Sequence, residues 1–297
     1  MNPKNKKVIL ITGCSSGFGL LSAARLSAQG HRVYATMRNL EKKQALLDEV
    51  EKRGGQISLL ALDVTKKNTI AEAINKIKTD NESIDVLINN AGFGIGGYFE
   101  DLSDEEIREQ METNFFGVLN VTREVLPLMR AKRKGMIINI SSISGLMSSP
   151  AFSAYNASKW ALEGFSESLY YELKEFGIPV VLIEPGLYKT EIFYANARYA
   201  NKFDDPQSPY FAHSQFLKKR IMDTSSHRAK DPEDVARLIE RIIDKENPYL
   251  RYIPDQMSGI RFLARRILPF RFTSHITNKV IFSGFEKCRK TDEKTCS

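Results

Sequence analysis

The sequence predicts an α/β fold: a doubly wound, mostly parallel sheet with helices on both faces. Three observations carry that expectation. Six short aliphatic or β-branched runs alternate with segments of helical period. Each run is too apolar to have one wet face, as expected of parallel strands covered on both sides. The first run also leads straight into a glycine-rich turn, and the last is followed by a long stretch that breaks the rhythm.

The runs are VILIT (8–12), RVYATM (32–37), ISLLALDV (57–64), IDVLIN (84–89), MIINIS (136–141) and PVVLIE (179–184). Helical segments fall between them, at about 17–29, 39–53, 66–80, 103–132 and 153–176. Some ends are punctuated. Ser103 and Glu106 have capping-box spacing before IREQMETNFFGVL. Gly177 stands just past the helix that begins SAYNASK. Asp231–Pro232 opens EDVARLIERIID with proline in the first turn.

Residues 187–230 are rich in aromatic and polar residues and read as an irregular insertion. In open α/β sheets ligands bind beyond the carboxyl ends of the strands, so this insertion is a candidate substrate lid. The organisation is then one catalytic domain over 1–255, lid included, followed by a C-terminal extension over 256–297.

Composition excludes several classes. At 297 residues, with 42% hydrophobic and 27% charged residues, the chain matches an ordinary globular protein with one large core. No apolar run nears the ~18 residues of a membrane-spanning helix, and VILIT is too short for a secretory core. Cys14, Cys288 and Cys296 have neither metal spacing nor an even framework, which fits a reducing cytoplasm and no metal. Of the net charge of +7, most belongs to residues 256–297, where nine Lys/Arg face three acids. The tail holds no nucleic-acid module, so no nucleic-acid partner is expected. Within it, GIRFLARRILPF (259–270) sets Ile260, Ala264 and Ile267 at helical spacing beside Arg261, Arg265 and Arg266. That pattern has two readings: a stripe packed on the body, or a basic amphipathic helix over about 259–272 in peripheral contact with anionic membrane.

The turn after the first strand reads TGCSSGFG, Thr12 to Gly19. Glycines at 13, 17 and 19 allow a tight turn, close approach to a pyrophosphate and packing of the next helix, whose positive end faces the phosphates. Cofactor choice follows from the end of the second strand. NAD-preferring enzymes of this architecture place an acid there, on the ribose hydroxyls. This chain reads Ala35-Thr36-Met37-Arg38-Asn39, with no acid before Glu41. Arg38 offers a planar fork for a 2′-phosphate, and Ser15 an extra hydrogen bond, so NADP(H) is expected.

Together these residues resemble the short-chain dehydrogenase/reductase family, in its compact single-domain branch. TGCSSGFG is similar to that family's cofactor loop and NNAG (89–92) to its fourth-strand signature. Asn114, Ser142, Tyr155 and Lys159 fall in the order and spacing of its catalytic tetrad. Pro185–Gly186, with Thr190 after it, resembles the element that meets the nicotinamide carboxamide. The match is strong over about residues 6–190 and thins beyond. It implies a Rossmann-type sheet and a dimer or tetramer built on the helices at 103–132 and 153–176. The cofactor contacts it implies are Gly13, Ser15, Ser16, Gly17, Phe18, Gly19, Arg38, Asp63, Val64, Asn90, Ala91, Gly92, Tyr155, Lys159, Pro185, Gly186 and Thr190.

The chemistry suits these residue types. Reducing a carbonyl needs a hydride donor and a proton for the developing alkoxide. A free phenol titrates near ~10, and bringing it to ~7 takes about 4 kcal/mol of differential stabilisation. A cation within about 4–6 Å supplies part of it, and Lys159 lies one helical turn from Tyr155. By resemblance, Ser142 holds the substrate oxygen, Lys159 also holds the nicotinamide ribose, and Asn114 anchors a proton relay. Asp63 is expected to contact adenine, or else to cap the next helix.

The pocket neighbourhood is apolar: Phe93, Ile95, Leu146, Met147, Phe152, Phe193, Tyr194 and Tyr210. A small-molecule ketone, aldehyde or alcohol on a lipophilic carrier is therefore expected. TGCSSGFG, VYATMRNL and ASKWALEGFSESL are most similar to 17β-hydroxysteroid and retinol dehydrogenase members and to bacterial reductases. His213 and His227 lie in or near the lid and read as surface residues. The rival readings are a non-catalytic NADP-sensing protein on the same fold, and an epimerase or dehydratase. The latter usually carries TGxxGxxG and a longer substrate domain, and this chain has neither.

Overall fold

The computed structural model describes residues 6–81, 83–190 and 197–285. Its centre is a seven-stranded parallel sheet, one strand more than the sequence suggests. In chain order the strands are β1 (Val8–Ile11), β2 (Arg32–Met37), β3 (Ile57–Ala61), β4 (Val86–Asn89), β6 (Met136–Ile140), β7 (Val180–Ile183) and β9 (Arg251–Tyr252). Two further short strands, β5 (Ile95–Gly96) and β8 (Arg198–Tyr199), pair with each other outside it. The spatial order β3-β2-β1-β4-β6-β7-β9 reverses direction between β1 and β4, the switch point at which such sheets bind ligands. Strand β9, with two residues, is too short to show any periodicity.

Side chains alternate across the sheet. Ile9 and Ile11 join a core with α1 (Gly17–Ala28), α2 (Gln44–Lys52) and α8 (Glu233–Ile243). Leu10 points the other way, into a core with α3 (Lys67–Asn81), α5 (Gly117–Lys132) and α6 (Ser153–Leu173). This double coverage explains why the strands lack an apolar/polar alternation.

The capping box of Ser103 and Glu106 opens α4 (Asp104–Met111), and Gly177 ends the α6 region with φ +67°. The expected single helix over 103–132 carries an insertion instead. A π-helical turn, Glu112–Phe116, joins α4 to α5 and contains Asn114. Such turns inside α-helices concentrate at functional sites.

The stretch 187–230 is not wholly irregular. A bridge between Tyr188 and Lys230 closes its base, β8 crosses it, and it contains the 18-residue helix α7 (Phe211–Arg228). Among α7 residues the buried ones are Ser214, Leu217 and Ser225, so two of three are small and polar. A helix buried through serines shows no apolar stripe in its sequence. Phe193 and Tyr194 lie outside the described residues.

Two helices follow, α9 (Gln256–Ile267) and α10 (Phe270–Ile281). The apolar stripe of α9 does not pack on the body: Ile260 is 60% and Ile267 70% exposed.

Candidate active site

A cleft of about 1520 Å³ opens over the carboxyl ends of β1, β4 and β6. Its floor begins with the glycine turn. Gly13 and Gly17 hold φ of +71° and +57°, conformations that other residues adopt only at a cost. A Cβ on Gly13 would stand 2.7 Å from the Ala91 Cα, and one on Gly19 would stand 2.4 Å from Asn90 Nδ2. The glycines thus let the turn press against the end of β4. Asn90 Nδ2 donates to the Thr12 and Gly13 carbonyls (2.9 Å each), and the Asn90 and Ala91 N–H groups donate to Thr12 Oγ1 (3.0 Å each). The Asn90 side chain is therefore a brace for the turn, while the 90–92 backbone lines the cleft.

Gly13, Ser15, Ser16, Gly17 and Phe18 line the cleft, and Gly19 lies buried behind them. Ser16 precedes α1 in extended conformation without a side-chain cap, so the first N–H groups of α1 are left for an anion. Tight glycines and an uncapped helix end fit a dinucleotide pyrophosphate. Next along the cleft come Met37, Arg38, Asp63 and Val64. Arg38 is exposed at the rim. Asn39 caps the following turn by accepting from the Glu41 N–H (2.8 Å), which ties the first acid after β2 into that turn. Lys42 adds a second cation at this rim that sequence reasoning missed; its place on a 3-10 turn gave no signal. Asp63 Oδ1 accepts from Thr65 N–H (3.0 Å) and Oγ1 (2.8 Å), which shapes the turn ahead of α3 rather than capping that helix, and Asp63 also lines the cleft.

At the opposite end Ser142, Tyr155 and Lys159 meet. Ser142 and Tyr155 both line the cleft, and Ser142 Oγ accepts from the Ser144 N–H (3.1 Å), whereas the neighbouring Ser141 hydroxyl donates to Glu163. Burial pushes the Tyr155 phenol above its ordinary value, and the nearby Ser142 hydroxyl acts against that rise. The Lys159 Nζ lies 5.9 Å from the Tyr155 ring centre and donates to the Ile140 carbonyl (2.9 Å). Burial draws the Lys159 ammonium down to about 8, opposed by the charge of Glu163.

Asn114 is buried and fully engaged. Its Oδ1 accepts from the Phe93 N–H (3.0 Å), and its Nδ2 donates to the Phe93 carbonyl (2.9 Å) and Ser158 Oγ (3.1 Å). Gln110 shares this task, donating to the Phe93 carbonyl (2.7 Å) and accepting from the Ile95 N–H (2.8 Å). The side chain of Asn114 thus holds the loop after β4 against α6. Neither Gln110 nor Ser158 was expected from the sequence; a helix glutamine and serine look like surface residues there.

Pro185, Gly186 and Thr190 complete the wall. A Cβ on Gly186 would lie 2.4 Å from both Asp255 Oδ2 and Ser258 Oγ, so glycine lets the start of α9 close on this wall. Of the expected apolar pocket residues, Phe93 and Phe152 line the cleft. Ile95 and Leu146 are buried, and Tyr210 stacks on Tyr98 (4.4 Å) away from it. His213 is not a surface residue: it stacks on Phe285 (4.2 Å) within an aromatic cluster. His227 is exposed. Among the described residues no group of His, Cys, Asp and Glu is arranged to hold a metal.

Behind the site lies a charged cluster that the sequence did not announce. Arg251, on β9, bonds Glu184 (2.9 Å), Glu167 (2.8 Å) and Glu163. Burial raises both Glu163 and Glu184, the latter to about 8, with the Glu163 charge adding to the rise of Glu184.

Comparison with known proteins adds the lineage. Residues 7–199 match the family described as short chain dehydrogenase. An uncharacterized oxidoreductase, YusZ, of Bacillus subtilis is 41% identical over 284 residues, covering 94% of this chain and all of that protein. A 3-ketodihydrosphingosine reductase of Bacteroides thetaiotaomicron is 40% identical, covering 82% of this chain and 86% of its own length. Human retinol dehydrogenase 8 is 36% identical, with 82% and 80% covered. Among solved structures, a short-chain dehydrogenase from Streptomyces avermitilis aligns with TM-score 0.75 and 30% identity, over 97% of this chain and 99% of that one.

Proposed function

From the premise that the chain belongs to the short-chain dehydrogenase family of oxidoreductases, we propose that it interconverts a carbonyl and an alcohol on a lipophilic small molecule, with NADP(H). The observation that carries this reading is that Ser142, Tyr155 and Lys159 line one cleft wall, with the Lys159 Nζ 5.9 Å from the centre of the Tyr155 ring.

When bound, the nicotinamide supplies or accepts the hydride. The glycine turn and the α1 N-terminus would hold its pyrophosphate, and Arg38 and Lys42 its 2′-phosphate. That preference rests on two cations, and no acid, facing the cleft at the end of β2. Asp63 and Val64 would flank the adenine, and Pro185, Gly186 and Thr190 the carboxamide.

In the direction of reduction, Tyr155 passes its phenolic proton to the developing alkoxide. Ser142 bonds the same oxygen and orients it. The Lys159 ammonium then stabilises the phenolate that remains. Asn114 acts by position, fixing Phe93 and Ser158 so that α6 presents Tyr155 squarely to the cleft.

A lipophilic substrate is supported by Phe93 and Phe152 in the cleft. A side cavity between Phe152, Tyr155, Tyr199 and Ile221 adds further apolar wall. Two relatives are named for a ketodihydrosphingosine and for retinol, both lipophilic. Exposed Phe116 and Trp160, by the π-helical turn and on α6, support a dimer or tetramer built on those helices. A cytoplasmic enzyme is consistent with this reading. The test is NADPH oxidation against a panel of aldehydes, long-chain ketones and quinones. Turnover of a lipophilic carbonyl supports the proposal; tight NADPH binding with no turnover would favour a non-catalytic NADP-sensing role.

A further inference from the structure

The last two helices carry their apolar residues outward. In α9 only Ser258 is buried, and in α10 no residue is. Met257, Ile260, Leu263 and Ile267 recur at spacings of three and four and so form one stripe of α9, each more than half exposed. On α10, Phe272, Ile276 and Val280 recur every four residues, with Phe270 at its start, and all four are exposed. A surface helix of a folded domain turns such a stripe inward. Here two adjacent helices present theirs to solvent, an arrangement that marks an interaction surface.

Charge on the same segment selects what covers it. Arg261, Arg265, Arg266, Arg271 and Lys279 lie within residues 256–285, which contain no Asp or Glu. A self-complementary contact between two copies would set these cations against themselves with no carboxylate between them. An anionic lipid surface satisfies both features, taking the apolar stripes into its acyl boundary and the cations among its headgroups. At 12 residues each, neither helix can cross a bilayer, and no described helix is long and apolar enough to do so.

The pair is also fixed beside the cleft. Ser258 and Arg261 line the cleft itself, and Asp255 caps α9 by accepting from the Ser258 N–H (2.8 Å). At the other end Arg220, on α7, donates to the Val280 and Ser283 carbonyls, and Phe285 stacks on His213. We propose that α9 and α10 form a docking surface for anionic lipid, which sets the mouth of the cleft at the membrane interface. The surface goes beyond the proposed reaction and does not depend on it.

The experiment is co-sedimentation of the full-length protein with vesicles of phosphatidylcholine alone or mixed with phosphatidylglycerol. The expected result is at least about tenfold tighter binding to the mixed vesicles, weakening as salt rises. The double variants Ile267→Asp/Phe270→Asp and Arg266→Glu/Arg271→Glu should each lose about tenfold or more. Their circular dichroism and Tm should stay unchanged, since the altered residues are exposed. Failure to bind either vesicle, or unchanged binding by both variants, would overturn the proposal. So would a wild-type oligomer that ignores vesicles and falls apart on Ile267→Asp/Phe270→Asp, since a second copy would then be the occupant.

Discussion

Glu163 stands one helical turn beyond Lys159 on α6, and its charge opposes the fall that burial imposes on the Lys159 ammonium. The proton that Lys159 holds near neutral pH therefore depends on a carboxyl that never reaches the cleft lining. Glu163 is in turn held by Arg251 and Ser141.

The first consequence is in the pH profile of kcat/KM, which reports groups of the free enzyme. Lys159, at about 8, should give an alkaline limb as it loses its charge. Removing the negative charge with Glu163→Gln should move that limb to lower pH. Measured for NADPH-dependent reduction, an unmoved limb would separate Glu163 from the site.

Glu184 makes a stability prediction. Burial and the neighbouring Glu163 raise its carboxyl to about 8, well above its ordinary value. A carboxyl raised on folding contributes stability that is complete below its unfolded value and is lost as pH rises through the folded one. The Tm of Glu184→Gln should therefore gain on wild type as pH rises from about 4.5 to about 8. Parallel Tm curves for the two proteins would contradict it.

Cofactor choice rests on the end of β2. Arg38→Asp should lower the NADPH/NADH ratio of kcat/KM by about tenfold or more, by removing a cation and adding a repelling acid. An unchanged ratio would take Arg38 out of the phosphate site.

Asn114→Ala should strip Phe93 of a donor and an acceptor in a buried setting. A loss of about 1–3 kcal/mol is expected, seen as a Tm lower by several degrees together with a fall in kcat. A variant as stable as wild type would show that Gln110 alone holds the loop.

Much of this was legible in the sequence for a physical reason. A sheet covered on both faces must be built from uniformly apolar runs, and a phosphate-binding turn needs glycine where Cβ atoms would collide, as at Gly13 and Gly19. The spacing of Ser142, just past β6, from Tyr155 and Lys159 on α6 could likewise be read once the neighbouring motifs agreed. What stayed hidden depends on tertiary placement. Strand β9 is two residues long, α7 buries serines, and the π-helical turn leaves no mark on periodicity. Arg251, Glu163 and Glu184 come from three separate elements and meet only in the fold. The tail pattern had two readings because a stripe of isoleucines looks the same whether it faces a core or a lipid.

The central claim is that Tyr155 is the proton donor. The most direct measurement is the steady-state loss of NADPH absorbance with a turned-over lipophilic carbonyl, for wild type and Tyr155→Phe, alongside NADPH affinity by titration. The account predicts a fall in kcat of about a hundredfold to ten-thousandfold, with NADPH affinity nearly unchanged. Comparable turnover in Tyr155→Phe would contradict it.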